Sequence, residues 1–91
     1  MINNQILQVW WRVLISVNKA FVLLNVKSGY EDSVKEELER TKGVIESHAI
    51  YGKYDFMISI ESSSQDELKS EIFTLRKMSG VTSTLSMIVI E

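Results

Sequence analysis

The stretch YGKYDF at residues 51–56 sets one carboxylate, Asp55, between two aromatic side chains and three residues after a glycine. Three kinds of chemistry would use that arrangement: a hairpin stabilised by an acid, a general acid or base, or a polar pocket for a small ligand. Gly52 lets another molecule approach the backbone, so that neighbouring amides can hold a carboxylate. Asp55 can take an ammonium. Further along, Thr82, Thr84 and Ser86 alternate, which places three hydroxyls on one face if the segment is a strand. Amides, hydroxyls and one acid together suit a zwitterionic amino acid. The same residues also suit a plain hairpin and an ordinary strand. From residue types alone, both readings stay open.

Other chemistries find little support. His48 is the single imidazole and cysteine is absent, which removes the usual zinc sets and leaves no legible nucleophile–base pair. The glycines stand apart at 29, 43, 52 and 80, so no phosphate loop is present. The net charge of −2 and the lack of basic residues interleaved with aromatics argue against a nucleic-acid surface. No catalytic residue, cofactor or metal is expected.

The elements that position Asp55 read clearly from residue 20 onward. AFVLLNV (20–26) is a continuous apolar strand broken by Ser28-Gly29. Residues 30–42 carry Tyr30, Val34, Leu38 and Thr41 at helical spacing, with acids in the first turn and Gly43 at the end. Glu31–Lys35 and Glu36–Arg40 are candidate i,i+4 pairs along it. VIESHAI (44–50) is a second strand, and Glu46 and His48 on one face suit an edge. A turn at Gly52-Lys53 leads to a third strand, YDFMISIE (54–61). Ser64 to Glu67 forms a capping box for a helix with Leu68, Ile72 and Leu75 inward. Gly80 ends it, and VTSTLSMIVIE (81–91) is the fourth strand. The order β-α-β-β-α-β predicts an α+β, ferredoxin-like fold: a four-stranded antiparallel sheet with two helices on one face. Each half repeats a strand, a serine-bearing turn, a helix and a Gly-Val step (43–44, 80–81).

Helices cover one face of such a sheet, and the other should turn polar if it meets water. It does not. Phe21 and Leu23 alternate with Val22, Leu24 and Val26, and Leu85, Met87 and Val89 alternate with Ile88 and Ile90. Two dry faces predict a homodimer with sheets packed face to face. Aspartate at Leu24 or Val22, whichever points outward, is the expected way to break it.

Ninety-one residues, 45% of them hydrophobic, make one domain with a modest core. We divide the chain into an N-terminal extension (1–19) and a domain at 20–91. ILQVWWRVLISV (6–17) is too short and too interrupted by Arg12 to cross a bilayer, and it lacks the marks of a signal peptide. Ile6, Trp10, Val13 and Val17 have the spacing of an amphipathic helix. A cytoplasmic location and no membrane partner are expected.

GKYDFMISI followed by DELKSEIFTLRKMSGVTSTLSMIVIE resembles the effector-binding (RAM) domain of the Lrp/AsnC transcription regulators. The likeness rests on Gly52, Tyr54 and Asp55 before the third strand, and on Gly80, Val81, Thr84 and Ser86 in the fourth. It spans 20–91. The resemblance implies sheet-to-sheet dimers assembling into octamers or decamers, with an amino-acid effector held between dimers. Gly52, Lys53, Tyr54, Asp55, Thr84 and Ser86 are the effector-binding candidates. Family regulators carry a helix-turn-helix domain ahead of this one, and residues 1–19 cannot hold its three helices. The expectation is therefore a stand-alone module without direct DNA binding, partnered by full-length Lrp/AsnC regulators. Two alternatives share the topology: a small dimeric α+β barrel enzyme, for which His48 is the one candidate imidazole, and an ACT-like regulatory module.

Overall fold

The computed structural model describes residues 18–90, so the amphipathic helix expected at 6–17 lies outside the described residues. The elements are β1 (Asn18–Val26), α1 (Glu31–Arg40), β2 (Val44–Ala49), β3 (Phe56–Ser62), α2 (Gln65–Lys77) and β4 (Val81–Ile88). The strands form one antiparallel sheet in the order β2-β3-β1-β4. The ferredoxin-like expectation holds, with β2 and β4 as edges and Glu46 and His48 on an edge strand as expected.

Alternation decides what each strand buries. Ala20, Val22 and Leu24 of β1 pair with Ile60, Ile58 and Phe56 of β3, and all six are buried. Val34 and Leu38 from α1, with Leu68, Ile72 and Leu75 from α2, close over them. Val22 and Leu24 therefore both face the helices and have no exposed surface. The outward residues of β1 are Phe21 and Leu23, so a charge meant for the open face belongs there or on their neighbours. Registered pairing sets Met57–Leu23–Leu85 and Ser59–Phe21–Met87 in adjacent rows of that face. Met57, Leu85 and Met87 stay exposed. Glu46 and His48, opposite Ser59 and Met57, put charge at its rim.

The repeat seen in the sequence is also a repeat of hydrogen bonds. At the end of α1, Thr41 N–H donates to Leu38 O and Val44 N–H to Thr41 O; after α2, Met78 N–H donates to Leu75 O and Val81 N–H to Met78 O. Gly43 and Gly80 occupy equivalent corners with φ of +88° and +93°. Each presents its carbonyl to a neighbouring strand, to Glu61 N–H and Lys27 N–H respectively. A Cβ at Gly43 would fall on the Glu71 carboxylate, and one at Gly80 would lie 2.6 Å from Tyr30 Cβ.

The helix starts differ. Ser64 caps α2 by accepting from Glu67 N–H at 3.1 Å. The Glu67 carboxylate departs from a reciprocal box: it accepts from the Ser63 hydroxyl and from Lys42 Nζ. α1 starts without a side-chain cap, and Glu31 turns back to accept from Gly29 N–H. Among the described residues Lys42–Glu67 is an ion pair and His48 Nε2 lies 3.4 Å from Glu46 Oε2, so neither predicted i,i+4 pair on α1 forms. Their long side chains remain hydrated, where such a pair contributes little.

Candidate functional site

Asp55 sits where three strands meet. Its backbone N–H donates to Leu24 O at 2.8 Å, its carbonyl accepts from Ile50 N–H at 3.0 Å, and its Oδ2 accepts from Val26 N–H at 2.8 Å. These bonds close the loop after β2 and fasten it to the C-terminal end of β1. The strand begins at Phe56, two residues later than the sequence implied, because Tyr54 and Asp55 belong to this loop. One carboxylate oxygen is thus structural. A carboxylate offers about four acceptor positions, so the group keeps capacity for a second partner.

The rest of the loop is open. Tyr51, Gly52 and Lys53 are exposed, whereas Tyr54 and Asp55 are half-buried. Gly52 has a φ of +144°, and nothing lies within 4 Å of where a Cβ would stand. Among the described residues, no acceptor takes the N–H groups of residues 51–54. Unbonded amides near one carboxylate can receive both ends of a zwitterion.

Thr84 and Ser86 lie on the helix-facing side of β4, opposite Leu24 and Val22. Thr84 shares a row with Leu24 and Phe56. It is near the Asp55 end of the sheet but separated from β3 by β1, a span of roughly 10 Å at two strand spacings. Register skips Thr82 at a bulge beside Asn25 and Val26, so of the three alternating hydroxyls only those of Thr84 and Ser86 are in paired register. Ser86 is further along, beneath α2, where it lines a cavity with Lys69, Ile72, Phe73, Arg76 and Ile88. Within this single chain Gly52, Lys53, Tyr54 and Asp55 form one group, Thr84 flanks it, and Ser86 stands apart.

Two features of this region escaped the sequence reading. The Val26 amide that holds Asp55 leaves no trace in residue type. The stripe Lys69, Ile72, Phe73, Arg76 has the spacing i, i+3, i+4, i+7, but it shares Ile72 with the inward set Leu68, Ile72 and Leu75, and spacing does not separate the two. His48, on the sheet face away from the helices, bonds its neighbour Glu46 at 3.4 Å and is exposed.

The described residues thus form a βαββαβ domain with an open apolar sheet face and an acid-bearing loop at one sheet end. Residues 19–91 match the model of the Lrp/AsnC ligand binding domain, and the chain belongs to that family. It is 31% identical over 72 residues to the HTH-type transcriptional regulator FL11 of Pyrococcus abyssi, covering 79% of this chain and 48% of the regulator. The chain thus spans about half the length of that relative. A homocitrate synthase of Sulfurisphaera tokodaii is 34% identical over 62 residues, which is 68% of this chain but 14% of the enzyme. Among solved structures, FFRP-DM1 superposes with a TM-score of 0.77 at 32% identity, covering 80% of this chain and 99% of that one. A transcriptional regulator of Neisseria meningitidis, solved as a complex with L-Met, has a TM-score of 0.75 at 15% identity, with 89% and 54% covered. At that identity the likeness is one of fold. No helix of the described residues is long and apolar enough to cross a membrane.

Proposed function

We propose that this protein is a non-enzymatic amino-acid sensor whose effector is held by the loop of Gly52, Lys53, Tyr54 and Asp55, with Thr84 contributed from the middle of β4. The carrying observation is that the amides of residues 51–54 have no acceptor among the described residues, next in sequence to an Asp55 carboxylate bonded at one oxygen only. The amides take the effector's carboxylate and Asp55 its ammonium. The roughly 10 Å that part Thr84 from β3 within one chain favour a site completed by a second dimer. Family membership supports a regulatory role exerted through full-length Lrp/AsnC regulators, in dimers that assemble further to octamers or decamers. The enzyme alternative is weakened by the position of His48, which faces away from the helices.

Calorimetry with the twenty amino acids, followed by Asp55→Asn with the strongest ligand, tests the site. Asparagine can keep an acceptor for Val26 N–H, so the fold should persist. Loss of a charge-assisted bond worth about 1.5–3 kcal/mol should weaken the ligand roughly 10- to 150-fold. Equal affinities would make Asp55 a loop residue only.

A further inference from the structure

A groove of about 330 Å3 separates α2 from the edge strand β4, and its lining is unlike that of the Asp55 loop. Lys69, Ile72, Phe73 and Arg76 supply one wall as a continuous helical stripe, and Ser86 and Ile88 supply the other. The wall carries two basic side chains, Lys69 and Arg76, and no acid. Among the described residues neither Lys69 nor Arg76 has a carboxylate partner. Two large apolar side chains remain open to it, Phe73 at 57% exposure and Ile88 at 43%. The Ser86 hydroxyl is buried without any hydrogen-bond partner. Buried hydroxyls normally find partners.

We infer that this groove is a second binding site, for a small carboxylate with a branched or aromatic body and no ammonium group, the 2-oxo acids being the class that fits. The carboxylate meets Lys69 or Arg76, the apolar body lies against Ile72, Phe73 and Ile88, and the keto oxygen accepts from Ser86. An amino acid is disfavoured here because its ammonium would face two like charges with no acid to receive it. The volume stands at the small end of ligand pockets. This inference assigns Ser86, which stands apart from the Asp55 loop, to the groove and is independent of the amino-acid site, since neither Asp55 nor Thr84 lines it.

The probe is 4-methyl-2-oxopentanoate, with leucine as the control, titrated into the full chain by amide and methyl NMR and by calorimetry. The expected result is shifts at Ile72, Phe73, Ser86 and Ile88 with the oxo acid and none there with leucine. Lys69→Gln with Arg76→Gln, both at exposed positions, should weaken the oxo acid at least tenfold, whereas Asp55→Asn should leave it unchanged. Each single variant is measured as well, so that a folding defect in the pair cannot hide the result. Shifts confined to residues 51–55, no shift at millimolar oxo acid, or unchanged affinity in every cation variant would overturn the inference.

Discussion

Replacing Leu85 by aspartate tests the sheet-to-sheet dimer at a point where monomer and dimer respond differently. Leu85 is 44% exposed, beside Met57 at 39% and Met87 at 45% on the same open face. Full burial of such a side chain contributes about 1.5–3 kcal/mol. Covering the remaining two-fifths contributes roughly 0.6–1.2 kcal/mol each, or roughly 4–7 kcal/mol for three residues in each of two copies. That is comparable to the lower range of the association cost, about 4–15 kcal/mol, and Phe21 and Leu23 add to it. Leu85→Asp removes two of these contributions and places two like charges in a dry seam, each penalised by several kcal/mol. The dissociation constant should rise more than about 1000-fold. The isolated subunit keeps that aspartate hydrated, so circular dichroism should match wild type. Sedimentation equilibrium at micromolar concentration reads the outcome: dimer or larger for wild type, monomer for the variant. A monomeric wild type, or a variant of unchanged mass, would refute the reasoning. Val22→Asp is the contrasting control: with no exposed surface, it should unfold the chain.

Gly80→Ala should destabilise more than Gly29→Ala in urea melts, although both have φ near +94°, because only Gly80 has Tyr30 in the way of a Cβ. The Glu67 carboxyl is held below its ordinary range first by the Ser63 hydroxyl and then by Lys42. Its contribution is therefore complete above the ordinary glutamate range and lost as pH falls through the lower folded value. The melting-temperature gap between wild type and Glu67→Gln should hold steady from neutral to weakly acid pH and then shrink. Purified protein should give no sequence-specific DNA shift at physiological salt, given its net charge of −2; a shift appearing only when a full-length family member is added would support action through that partner.

The sequence alone determined the order of elements, the helix faces and the Gly-Val repeat. Each is a local property: Leu68, Ile72 and Leu75 lie on one side of any helix they form, and the Gly-Val steps recur in the chain itself. Alternation also announced two apolar faces on β1 without saying which was which. Only the sheet order and register could place Val22 and Leu24 under the helices and leave Phe21 and Leu23 outside, because that choice depends on strands far apart in the chain. The site divides in the same way. Gly52 and Asp55 were visible as residues suited to a ligand or to a turn, and residue type alone does not separate the two. That Asp55 spends one oxygen on Val26 N–H, that Thr84 lies across β1 from it, and that Ser86 belongs to a groove under α2 are long-range facts. They arise from pairing between residues 18–26, 56–62 and 81–88, and no local spacing encodes them.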